Sequence, residues 1–98
     1  MKVRYTLPAL ADLEEVLDYL DVRSPLGARR IKARIQATER LLAQHPLLGA
    51  KTRLPWLRRV TVAPYPYLIF YEVAGDEVIV HAVRHGARRS SSMPDVDP

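Results

Sequence analysis

The sequence predicts an α+β fold in the order β-α-α-β-β-β: a short N-terminal strand, an antiparallel two-helix hairpin, then a three-stranded antiparallel sheet. Three observations predict it. Most of the β-branched and aromatic residues are concentrated in residues 57–89, LRRVTVAPYPYLIFYEVAGDEVIVHAVRHGARR, and such side chains fit a pleated, packed surface. Upstream, apolar residues recur at spacings of three and four in two separate stripes, the signature of helices with one buried face. Each stripe also has its own start signal, Thr6 ahead of Pro8 and Ser24 ahead of Pro25.

Lys2 to Thr6 alternates Val3 and Tyr5 with Lys2 and Arg4, as an edge strand does. Thr6 caps a helix from about Pro8 to Asp21, with Leu10, Leu13, Val16, Leu17 and Leu20 as its stripe and its acids outward. Ser24-Pro25 opens a longer helix, whose buried side is expected to be Ala28, Ile31, Ile35, Thr38, Leu41 and Leu42 and which stops at His45-Pro46. Helices joined by so few residues pack antiparallel and lie together across a sheet. Leu47 to Trp56 reads as a loop, marked by Pro46, Gly49 and Pro55, and Leu57 to Val62 as the next strand. In Ala63-Pro64-Tyr65-Pro66 the two prolines fix φ and make a stiff connection between strands. Tyr67 to Val73 is apolar except at Glu72, which predicts a central strand covered on both faces. Gly75-Asp76 is read as a two-residue hairpin turn supplying positive φ angles, after which Val78 to Val83 returns. Residues 1–89 are thus expected to form one domain, and residues 90–98, with three serines and no apolar period, a mobile tail.

Composition narrows the chemistry. There is no cysteine, so neither disulfides nor a thiolate metal site can form. No run approaches the ~18 apolar residues of a membrane span and no signal peptide is visible, so the expected location is the cytoplasm. The net charge is +4 and the pI 9.8. The charges are segregated: Asp12, Glu14, Glu15, Asp18 and Asp21 lie on the first helix, and Arg29, Arg30, Lys32, Arg34 and Arg40 on the second. Either two solvated helix faces attract one another, or the basic face meets an acidic partner. His81 and His85 would share a strand face, but four residues at ~3.3 Å each hold them ~13 Å apart, too far for one zinc ion or one proton relay. His45 sits at a helix end, where last-turn carbonyls attract a cation. No HExxH, phosphate loop or GxSxG occurs, and no cofactor or metal is expected.

Two groups of residues invite a partner. Arg84, His85, Arg88 and Arg89 follow the last strand, and arginine forks suit carboxylates and phosphates alike; a solubilising flank is the plain alternative. Trp56, the only tryptophan, is either a loop anchor or part of a binding pocket.

At this point the chain resembles the RelE/ParE toxins of bacterial type II toxin–antitoxin modules. The resemblance runs from about Lys2 to Arg89 and is carried most specifically by Tyr65-Pro66-Tyr67-Leu68-Ile69-Phe70-Tyr71 and by Val83-Arg84-His85-Gly86-Ala87-Arg88. RelE-like members are ribosome-dependent mRNA endonucleases. For them the family implies a basic cluster on the sheet and a C-terminal tyrosine or equivalent acid–base group. Here Leu68 stands where those nucleases tend to place an arginine, and no tyrosine follows Arg88. ParE-like members share the HGAR ending, lack that catalytic set and poison DNA gyrase. The resemblance therefore implies a gyrase inhibitor with no reaction of its own and no direct sequence-specific nucleic-acid contact. Arg84, His85, Arg88 and Arg89 carry over as the gyrase-directed residues, although Arg89 replaces the acid that many relatives have after HGAR. The implied partner is a ParD-like, ribbon-helix-helix antitoxin whose C-terminal segment folds on the toxin, and Trp56, Arg58, Arg59, Tyr65 and Tyr67 are its candidate contacts or else ordinary core and flank residues. A degenerate toxin that only binds antitoxin is the remaining alternative.

Overall fold

In the computed structural model, which describes residues 1–86 and Pro94, the apolar run of the second half is the middle of a five-stranded sheet. The elements are β1 (Lys2–Tyr5), α1 (Leu7–Arg23), α2 (Pro25–Gln44), β2 (Ala50–Lys51), β3 (Arg58–Thr61), β4 (Tyr67–Ala74) and β5 (Glu77–His85). The strand order is β1-β5-β4-β3-β2, with β1 parallel to β5 and the other pairs antiparallel. The expected three-stranded sheet is thus extended on both sides. β1 joins it beside β5, and the two-residue β2 pairs with β3 inside what reads as loop; a pairing that short leaves no periodicity in side chains.

Both helix starts follow from their caps. Thr6 Oγ1 accepts the Ala9 N–H at 3.2 Å and Ser24 Oγ the Gly27 N–H at 3.0 Å. Ser24 also closes α1 by donating its N–H to the Leu20 carbonyl, so one residue ends one helix and starts the next. The helices cover one face of the sheet. There Ala9, Val16, Ile31, Ile35 and Leu42 meet Tyr67, Ile69, Tyr71, Val78, Val80 and Val83. Two residues of the expected stripes fall outside it: Leu10 is 40% and Leu41 44% exposed, while Ala9 is fully buried. Each is one position, about 100°, from a buried neighbour, and the small Ala9 lets α1 settle closely onto the sheet.

The turn between β4 and β5 does have two residues, with Ala74 opposite Glu77. Positive φ belongs to Gly75 alone, at 60°, and not to Asp76, because one glycine at the first central position suffices for such a turn. Further along this pair a bulge intervenes. Phe70 faces Ala82 and Tyr71 faces Val80, leaving His81 as the extra residue. On the face away from the helices, Leu57 and Leu54, from the loop before β3, pack on Phe70, Ala82 and Leu68.

The buried Tyr71 ties the end of α2 to the sheet. Its hydroxyl accepts the Gly49 N–H and donates to the Pro46 carbonyl, both at 2.8 Å, while Arg58 donates to the Gly49 carbonyl at 2.9 Å. Burial raises the hydroxyl's pKa above the ordinary tyrosine value, offset in part by that N–H and by Arg58. On the other side of the core, Tyr5 of β1 has a buried hydroxyl without a well-formed hydrogen bond, next to the Glu39 carboxyl of α2. Burial raises the pKa of both.

The sign of the Glu39 effect is testable. A carboxyl whose folded pKa lies above its ordinary 4.5 contributes stability that is fully present below the unfolded value and is lost as pH rises through the folded one. Wild type should therefore lose stability relative to Glu39→Gln as pH rises from below 4.5 through the raised folded value, as followed by urea unfolding at each pH. A difference independent of pH would show that the Glu39 charge is fully solvated.

Candidate functional site

The sheet divides the residues expected to meet partners. Tyr67 is buried and Tyr65 half-buried, both in the helix-side core, and Arg58 lies opposite Tyr71, spent on the loop carbonyls of Leu47 and Gly49. Arg59 lies opposite Phe70 on the other, open face, where it is exposed, and Trp56 is 52% exposed there. No single patch unites the five.

The basic end is divided as well. β1 pairs with Glu77 to Val80, and among the described residues no strand covers the following edge of β5. Asp12 of α1 covers it, accepting the Val83 N–H at 3.1 Å and pairing closely with the Arg84 guanidinium. The Arg84 charge is thereby turned inward to a carboxylate. His85 lies opposite Tyr67 and meets its ring edge-to-face at 5.1 Å. Gly86 N–H donates to the Pro66 carbonyl at 2.6 Å, which prolongs the β4–β5 pairing past the last strand residue. Arg88 and Arg89, like the tail except Pro94, lie outside the described residues.

What sequence reasoning missed is on the open face. His81 Nε2 and Glu72 Oε1 are 2.7 Å apart, and the Trp56 ring meets His81 edge-to-face at 5.3 Å. Simple alternation would put His81 on the same face as His85. The bulge breaks that alternation, so His81 points to the open face with Ala82 while His85 points to the helix side with Tyr67. A signal did exist: Glu72 and His81 are the polar interruptions of two adjacent apolar strands, and the hairpin turn at Gly75 puts Glu72 opposite Ile79, two residues from His81. Both side chains are about a quarter exposed, at 26% and 29%, so the pair is accessible to a ligand from one side. A carboxylate that orients an imidazole leaves the ring able to accept or deliver a proton, and it also makes the ring a fixed surface. Among the described residues no group of three His, Asp or Glu side chains could hold a metal ion, and no helix is long and apolar enough to cross a membrane.

The helical groove gives the segregated charges a place. Asp18 and Asp21 of α1 line it together with Arg29 and Lys32 of α2, around Leu17 and Ala28. The acidic and basic stretches are thus brought face to face across the hairpin.

Comparison with known proteins agrees with this architecture. The chain is 39% identical over 87 residues to toxin RelE2 of Caulobacter vibrioides, covering 89% of this chain and 97% of that protein. The fold matches a structure of the chromosomal ParDE toxin–antitoxin system from P. aeruginosa with a TM-score of 0.73 at 25% identity, covering 87% of this chain and 95% of the other. Residues 3–90 match the family described as the ParE toxin of the type II toxin–antitoxin system parDE. With one helical hairpin on one sheet and a family match over nearly the whole chain, this protein belongs to the ParE toxin family, is a toxin of a type II toxin–antitoxin system and has a cognate antitoxin as its partner.

Proposed function

We propose that this toxin acts by binding, as a cytoplasmic inhibitor that poisons DNA gyrase and is neutralised by a ParD-like antitoxin. The observation that supports this reading is the state of the sheet where a phosphate-stabilising cluster would be needed. Leu68 stands on the central strand β4, and Arg84, the residue opposite it on β5, is neutralised by Asp12. A guanidinium already paired with a carboxylate has little charge left to offer a crowded phosphate.

The test adds purified protein to gyrase supercoiling and cleavage reactions and, separately, to programmed ribosomes. Trapped, cleaved DNA with intact mRNA is expected. Cut mRNA with unaffected gyrase would replace this reading by the ribonuclease one. A variant carrying Arg88→Ala and Arg89→Ala is expected to lose growth inhibition while still binding antitoxin; a double variant that stays toxic removes the C-terminal arginines from the target surface.

One observation favours the second reading, a RelE-type ribosome-dependent mRNA endonuclease. The His81–Glu72 pair has the geometry to take a proton from a ribose 2′-OH, with Glu72 holding the ring. On that reading His81→Ala abolishes mRNA cleavage on the ribosome and leaves the fold intact.

A further inference from the structure

We propose that the open face of the sheet around Trp56 is the surface with which this toxin grips its target, and that its counterpart is an acidic patch on a folded protein with a pocket for the indole. The inference rests on the reading that the toxin acts by binding a protein.

The loop that carries Trp56 is held without it. Leu57 is 1% exposed against Phe70 and Ala82. The Thr52 hydroxyl donates to the Leu57 carbonyl at 2.9 Å and accepts the Leu54 N–H at 3.1 Å, and the Leu57 N–H returns to the Leu54 carbonyl at 3.0 Å. These bonds close residues 52–57 into a turn, and Trp56 stands out from it half-exposed. An indole so placed contributes little to folding.

Its orientation is nonetheless fixed. The ring rests against the edge of His81, His81 is held by Glu72, and the bulge aims His81 at this face. A ring ordered before the encounter loses little conformational entropy on binding, which is the condition for a strong anchor. Tryptophan and arginine are the residues most enriched among such anchors.

The charge around it selects the partner. Arg59 of β3 is exposed on this face. The Glu72 carboxylate is engaged by His81 and that of Glu77 by Arg4, while α1 packs on the other face of the sheet. An acidic counterpart complements this face, and a basic one is repelled. The counterpart is a folded surface because this face offers no row of apolar side chains to a segment that folds on binding: Phe70, Leu57 and Ala82 are already buried. Exposed apolar residues are more numerous on the helical hairpin, at Leu7, Leu10, Tyr19, Val22, Leu26 and Leu41.

Trp56→Ala and Arg59→Glu test this separately. Each variant is checked for an unchanged melting temperature, then measured for gyrase inhibition, growth arrest, antitoxin affinity and mRNA cleavage on ribosomes. Each is expected to weaken inhibition at least about tenfold, the effect of losing an anchor residue, while antitoxin affinity changes less than about threefold. If wild type and variants poison gyrase equally, the surface assignment is overturned and the gyrase reading stands. If wild type arrests growth without touching gyrase, the gyrase reading fails and the surface is judged on growth arrest alone. There, variants that still arrest growth overturn it, and variants that lose arrest but keep antitoxin binding support it. Loss of antitoxin binding with toxicity retained overturns it in favour of an antitoxin surface. Cleavage of mRNA by wild type that Trp56→Ala removes overturns it in favour of base stacking on RNA.

Discussion

Phe70→Ala is expected to lower the free energy of unfolding by about 3–5 kcal/mol, the range for truncating a fully buried phenylalanine. Phe70 has no exposed surface and lies beneath the 52–57 loop on the open face. Its removal leaves a cavity under Leu57 with only Leu54, Leu68 and Ala82 to fill it. The loss should therefore have a local component besides the global one: the 52–57 turn loses its seat and Trp56 its fixed position. Urea unfolding measures the first, and the fluorescence of the single tryptophan in native buffer measures the second. A loss below about 1 kcal/mol would mean that the open-face cluster contributes little to folding, and that the loop is held by its Thr52 hydrogen bonds alone.

Gly49→Ala is expected to cost about 3 kcal/mol, at the upper end of the range for overpacking a tight site. A Cβ at position 49 would stand 2.7 Å from the Arg59 carbonyl and from the Tyr71 ring and hydroxyl. Backbone cannot yield as the tip of a flexible side chain does, and Tyr71 is fully buried. The added methyl would also force apart the bonds that join Gly49 to Tyr71 and Arg58. Tyr71→Phe makes the controlled comparison, because it removes the hydroxyl and keeps the ring. If the two changes act through the same staple, their combined cost in the double variant falls short of the sum. Strict additivity would place the Gly49 effect in the β2–β3 pairing instead.

These expectations depend on features of unequal legibility. Local signals were read directly: Thr6 and Ser24 are caps because a side-chain oxygen followed by proline satisfies or removes the first orphan N–H groups of a helix, and neighbouring residues suffice to decide that. The run from Tyr67 to Val73 was legible as the central strand for a similar reason, since lack of alternation follows from burial on two faces. Candidate site residues were less legible. Arg84 looks like a free cation in the sequence, yet its carboxylate partner Asp12 is 72 residues away, where only the packing of α1 against the edge of β5 can bring it. Arg58 and Arg59 are neighbours on one strand and so point to opposite faces, one into the carbonyls after α2 and the other to solvent.

By itself the sequence determined the two helices and the four longer strands in their order, the helix starts, the hairpin at Gly75 and the kinship carried by its second half, because each depends on contacts between residues close along the chain. Tertiary structure alone decided that β1 lies parallel to β5, that Leu10 and Leu41 stay outside the core, and that one extra residue in β5 turns His81 toward Glu72 and Trp56. A register shift between strands involves no change of residue type, so no pattern of residues announces it, and it nevertheless reverses which side chains share a face.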